Sequence, residues 1–179
     1  MQVNGINKLF LIPVFFPLLL IPAGILLWSG VLGAPFVYDD YMYIVHNPEI
    51  MSLKNFSGFS GTRYFGFLSF ALNYAATKLD PFWFHLTNIF IHSINAVLVF
   101  HLVAVLSKTL SPEGRGKGGG DGAFEPVALI SSFIFLIHPI QTEAVNYVSQ
   151  RFTSLATLFY LSALVCYALS RVSEKGGWR

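Results

Sequence analysis

Charge is what this sequence has least of: 11% of its 179 residues are Asp, Glu, Lys or Arg, against 54% that are apolar. The apolar residues are gathered into long blocks and the mean hydropathy is +0.60, a profile of a polytopic membrane protein rather than of a soluble core. Cysteine is nearly absent as well. The single Cys166 lies within an apolar run, so no disulfide can form inside the chain and its redox compartment cannot be read. The basic residues form no dense cluster and the net charge is only +2, which removes the main signature of nucleic-acid binding. A phosphate-binding loop is missing too. The glycine-rich stretch 111–122 carries Lys117 followed by Gly118, not Gly-Lys-Ser/Thr between a strand and a helix, and reads as a flexible cytoplasmic linker.

What is present is a set of hydrophobic blocks. A bilayer core takes roughly 20 helical residues, and spans are expected at about 9–32, 82–106, 124–138 and 152–170. The third is short and counts as a span because the charge balance requires it, with a kinked continuation past Pro139 as one way to lengthen it. Lys8, then Lys108, Arg115 and Lys117, then Arg171, Lys175 and Arg179 all fall on one side of four spans, and the positive-inside rule makes that side cytoplasmic. The first block does not look like a cleaved signal, because Gly33-Ala34 is followed by Pro35; it reads as a retained anchor kinked by Pro13, Pro17 and Pro22. The expected fold class is therefore all-α: one polytopic unit over residues 1–179 with about four transmembrane helices. Outer loops run over 33–81 and 138–151, and a cytoplasmic glycine-rich loop over 107–123. The first outer loop is rich in aromatics, from Phe36 and Tyr38 to Phe65 and Phe67, so short helices lying at the membrane interface are expected within it.

Three features carry chemistry. The charge-free stretch 9–38 ends in Asp39-Asp40, where a first span emerges into water, and carboxylates at a membrane lip are usually there to meet a substrate, an ion or a proton. A second acid, Glu143, follows the third block, where an equally good structural reading pairs it with a cation such as Arg151. The second span carries His85, Asn88, His92 and Asn95 on one helical face. Interhelical hydrogen bonds account for Asn88, His92 and Asn95, whereas His85, nearest the outer end, is the one placed to see substrate.

Taken in order, Tyr38-Asp39-Asp40, Asn47-Pro48-Glu49-Ile50, the run from Arg63-Tyr64 to Asn73-Tyr74, Phe84-His85 with Asn88, Ile91-His92 with Asn95, and His138-Pro139 through Glu143 to Gln150-Arg151 resemble one known pattern. It is the amino-terminal region of GT-C class membrane glycosyltransferases. The likeness is greatest to the protein O-mannosyltransferase-like proteins that join such a domain to tetratricopeptide repeats. The resemblance implies transfer of a sugar, mannose or another hexose, from a polyprenyl-phosphate carrier to an extracytoplasmic acceptor, a protein Ser/Thr hydroxyl or a glycan, with inversion. It places Asp39, with Asp40 beside it, at the acceptor and assigns the second acidic role to Glu143. Arg63, His138 and Arg151 would lie at the same outer surface, where a cation could bind the carrier phosphate. It also implies that this chain is the amino-terminal part of a longer protein, not expected to be active alone.

The chemistry suits those residue types, since a carboxylate can take the proton of an attacking hydroxyl and an Arg can steady a departing phosphate. The sequence establishes no cofactor; a divalent metal held by Asp39, Asp40, Glu143 and His138 is left open, because consecutive helical residues point about 100° apart and the doublet alone makes no metal site. Two other classes compete: an ion- or proton-coupled transporter using the same acids, and a non-catalytic membrane scaffold. The partners expected are the lipid-linked sugar, its acceptor and membrane lipid. The expected location is a bacterial cytoplasmic membrane with the site facing outside, or the endoplasmic reticulum in a eukaryote.

Overall fold

The computed structural model of the protein describes residues 15–59, 61–110 and 125–177, and among them every regular element is helical. Helices α1 (Phe15–Leu18) and α2 (Leu20–Leu27) hold the described part of the first block, with a short 3-10 turn at Ser29–Val31. Pro17 and Pro22 each lack an amide hydrogen, which suits a segment broken into short helices. Residues 9–14 of that expected span, and 111–123 of the glycine-rich loop, lie outside the described residues. The segment expected as the first outer loop contains one π-helical turn (Tyr41–Val45), two 3-10 turns (Pro48–Met51 and Leu53–Phe56) and helix α3 (Tyr64–Thr77). The short helices expected there are present.

Helix α4 (Pro81–Leu110) is the axis of the molecule. Asp80 Oδ1 accepts the amide of Phe82 at 3.1 Å and Pro81 opens the first turn, the arrangement in which a missing N–H costs nothing. The helix runs on through 107–110, so the loop expected from 107 begins later. Around α4 pack α2, α5 (Glu125–Ile137) and α7 (Arg151–Gly177). Close contact with α2 depends on Gly24, where a Cβ would overlap Ser93 Oγ of α4. Helix α5 stops at His138-Pro139, passes through a 3-10 turn (Pro139–Gln141) and continues as α6 (Thr142–Asn146) after a bend of 47°. The expected loop 138–151 is thus helical in short pieces.

Two stretches, Pro81–Ser107 and Val148–Val172, are long and apolar enough to cross a membrane, and a third is gained if the bent pair acts as one span. Four spans are therefore more than these helices supply among the described residues. The third expected span fails as a single helix: 13 residues reach only about 20 Å at 1.5 Å per residue, short of a core about 30 Å thick. The two long stretches differ in packing, the most apolar segment being 56% buried within Pro81–Ser107 and 17% within Val148–Val172, so α4 is interior and α7 peripheral.

The loop aromatics divide. Phe36 and Phe56 are buried with Ile44, Ile50, Phe70 and Phe84 in a core that seats the outer loop on the ends of α4 and α7. Tyr38, Tyr41, Phe59 and Phe65 are the exposed ones available to a lipid interface.

Candidate active site

A groove of about 750 Å³ opens between the end of the first block and the bent α5–α6 pair. One wall is Gly30, Ala34 and Val37; the other is Glu143, Asn146 and Tyr147. Glu143 sits in the first turn of α6 with its side chain exposed. Its carboxylate accepts no hydrogen bond and joins no ion pair among the described residues, so it is available to a ligand. The pairing with Arg151 is not formed.

The two aspartates have separate surroundings. Asp40 is fully buried, and its carboxylate is already engaged: Oδ1 accepts the amide of Ser149 at 2.7 Å and Oδ2 the amide of Val37 at 3.1 Å. It therefore staples one wall of the groove to the segment beside the other. Between Val37 and Asp39 the backbone turns left-handed at Tyr38, φ 48°, a conformation that costs free energy in a residue with a Cβ. The Asp40 bond to Val37 closes that turn and directs the next residue outward. Asp39 is exposed, with no hydrogen bond or ion pair among the described residues. Of the doublet, Asp39 has the free carboxylate and Asp40 holds the loop.

Arg151 lies in the interior, fully buried at the head of α7. Its Nε donates to Asn88 Oδ1 at 2.7 Å, Nη1 to Asn73 Oδ1 at 2.6 Å and Nη2 to the Phe84 carbonyl at 2.8 Å, while the guanidinium carbon stands 4.7 Å from the centre of the Phe70 ring. Asp40 is near enough to interact electrostatically with both Arg151 and His85. A guanidinium enclosed this way joins α3, α4 and α7; it does not lie at the outer surface expected for a phosphate ligand. Asn73 had no role assigned from sequence. The signal available was the buried cation itself, which at the start of an apolar helix needs a set of acceptors.

His85 also lies behind the groove, fully buried, where Nε2 donates to the Ala34 carbonyl at 3.2 Å. The other members of its stripe bind backbone on neighbouring segments. Asn88 Nδ2 donates to the carbonyls of Tyr147 (3.1 Å) and Val148 (3.3 Å), His92 Nε2 to Leu136 (3.1 Å) and Asn95 Nδ2 to Ser154 (3.0 Å). Arg63 is exposed, with its guanidinium carbon 5.0 Å from the centre of the Phe152 ring, and it donates to the Tyr43 hydroxyl at 3.4 Å. His138 is exposed at the α5 bend, where Nδ1 accepts the amide of Ile140 at 3.2 Å. Among the described residues no three His, Cys, Asp or Glu side chains stand together as a metal site, and the set Asp39, Asp40, Glu143 and His138 does not assemble into one.

The helices and the groove define an integral membrane protein, all-helical among the described residues, with free carboxylates at one end of its bundle. Comparison with known proteins makes it a homologue of the protein O-mannosyl-transferases. It is 33% identical to protein O-mannosyl-transferase tmtc2 of Xenopus laevis over 169 residues, which is 86% of this chain and 18% of that protein. It is 28% identical to mouse protein O-mannosyl-transferase TMTC1 over 177 residues, 89% of this chain and 17% of the relative. It is 26% identical to protein O-mannosyl-transferase F38B6.6 of Caenorhabditis elegans over 170 residues, 86% of this chain and 23% of the relative. The chain thus spans less than a quarter of the length of each of these three. No protein-family model and no solved structure matches it. The three relatives are animal proteins, and they give no support to the expected bacterial membrane.

Proposed function

We propose that this chain contributes the acceptor side of a membrane glycosyltransferase that moves mannose or a related hexose from a polyprenyl-phosphate carrier to a protein hydroxyl, as a GT-C enzyme does. Homology to proteins named O-mannosyl-transferases supports the reaction class. The observation that carries the site is the groove itself, which presents the unpaired Glu143 carboxylate close to the loop that ends in the exposed Asp39. A carboxylate in that position takes the proton of the attacking Ser or Thr hydroxyl, an effect of typically 10²- to 10⁴-fold. Attack on the anomeric carbon opposite the departing phosphate inverts the centre, with no covalent glycosyl intermediate. Of Arg63, His138 and Arg151, the two that are exposed, Arg63 and His138, meet the carrier phosphate. Arg151 and Asp40 hold the scaffold. In a eukaryotic cell the groove would face the lumen of the endoplasmic reticulum, with 107–123 in the cytosol.

The test is mannosyl transfer from polyprenyl-phosphate mannose in membranes containing the full-length protein, with Asp39→Asn and Glu143→Gln at matched abundance. Transfer is expected to fall by about 10²-fold or more in one or both variants. Undiminished transfer in both removes these two carboxylates from the chemistry.

A further inference from the structure

The geometry points to His85 and Asn88 as positioning residues that set the width of the groove. They stand one turn apart on the same face of α4, the helix at the centre of the bundle, and each reaches a different wall. His85 holds the Ala34 carbonyl of the first wall; Asn88 holds the Tyr147 and Val148 carbonyls behind the second. Both Ala34 and Tyr147 line the groove. Asp40 closes the frame by joining Val37 of the first wall to Ser149, next to the Asn88 contact. Five side-chain hydrogen bonds to backbone therefore span the distance between the walls. All three side chains are fully buried, which limits the competition from water.

The orientation of Asn88 is imposed rather than free. Its Oδ1 accepts from Arg151 Nε, which leaves only the amide NH₂ to face the second wall. Arg151 is in turn anchored through Asn73 and the Phe84 carbonyl, so its role in the site is to fix which way Asn88 points. The walls carry Glu143 on one side and the turn leading to Asp39 on the other. Their spacing decides whether one acceptor hydroxyl can be held within reach of a carboxylate and the reacting carbon, and a displacement near 1 Å can cost about 10²-fold in rate. This assignment rests on the groove being the acceptor site, and its first test does not.

Asn88→Asp separates framing from folding. The carboxylate still accepts from Arg151, so the buried cation stays paired, but it cannot donate to the Tyr147 and Val148 carbonyls. For the other wall, His85→Gln retains a terminal donor and His85→Leu removes it. In the full-length protein carrying Cys166→Ser, spin labels at Gly30→Cys and Thr142→Cys report the distance across the groove. A Cβ at Gly30 meets no other atom within 4 Å, and Thr142 is exposed, so both sites accept a label. The distance distribution is expected to widen about twofold in Asn88→Asp and His85→Leu and to stay near wild type in His85→Gln. Unchanged distributions in both Asn88→Asp and His85→Leu overturn the proposal whatever the activity. Unlabelled proteins with the groove residues intact then give the kinetic arm: kcat for transfer falls about 10²-fold in Asn88→Asp and is restored in His85→Gln relative to His85→Leu. Widened distributions together with no mannosyl transfer by the wild type leave the frame in place and reject the glycosyltransferase reading instead.

Discussion

At the residue scale, the adjacent aspartates are chemically identical and structurally opposite. Asp40, itself buried, gives both carboxylate oxygens to backbone amides, whereas Asp39 is exposed and unpaired. Replacing Asp40 by Ala leaves the buried Ser149 amide without an acceptor and frees the part-buried Val37 amide, and a cost of about 1–3 kcal/mol from the buried group is expected. Asp39→Asn removes no contact and should leave stability within about 0.5 kcal/mol of wild type. Thermal unfolding in detergent separates the two, and equal losses would contradict the division of roles. Arg151 gives a second prediction. Arg151→Lys keeps the charge, but one ammonium cannot reach Asn88, Asn73 and the Phe84 carbonyl in the geometry of a planar fork. A loss of about 2 kcal/mol is expected from the stranded buried partners, and a midpoint unchanged from wild type would show that the fork is dispensable.

Among the elements, the most exacting contact is between α3 and α7. Gly66 lies buried on α3 against the Phe152 ring, and a Cβ there would overlap the ring carbons. Gly66→Ala must push the ring away. Phe152 is packed by Phe67 at 5.1 Å, Phe70 at 5.3 Å and Tyr43 at 5.6 Å between ring centroids, so it has little freedom to move. Overpacking of this kind costs about 1–3 kcal/mol. The double variant Gly66→Ala, Phe152→Leu is expected to recover part of the loss, and failure to recover any would place the cause elsewhere. The bent pair was partly legible from sequence, since His138-Pro139 marks the end of α5. That the chain then turns by 47° into α6, and so forms a groove wall, was not, because a proline fixes where a helix stops but not the direction taken afterwards.

For the whole molecule, the sidedness is a matter of where the charges lie relative to the bilayer. The arrangement proposed above puts the Asp39 loop and α6 on one side and residue 117 on the other. Membrane-impermeant maleimide applied to sealed vesicles carrying Cys166→Ser should label Glu49→Cys and Thr142→Cys from the same side. Lys117→Cys should be protected until the vesicles are opened. Labelling of Glu49→Cys and Thr142→Cys from opposite sides would mean that the α5–α6 pair does not return the chain to the side of the first loop, and the acidic groove would lose its common face.

Hydropathy and helical period alone identified the membrane class, the all-helical character, the polar stripe on α4 and the positions of the acids, because these depend on the order of apolar and charged side chains. The motifs from Tyr38-Asp39-Asp40 to Gln150-Arg151, in their order, carried the likeness to the O-mannosyl-transferases. Burial and pairing were settled only in three dimensions. Linear order could not distinguish Asp39 from Asp40, or predict that Arg151 turns inward to Asn73 and Asn88, or that His85 stands behind the groove. Those outcomes depend on which backbone amides, carbonyls and ring faces distant segments bring within hydrogen-bond reach, and contacts such as Ser149 with Asp40 join residues more than a hundred positions apart.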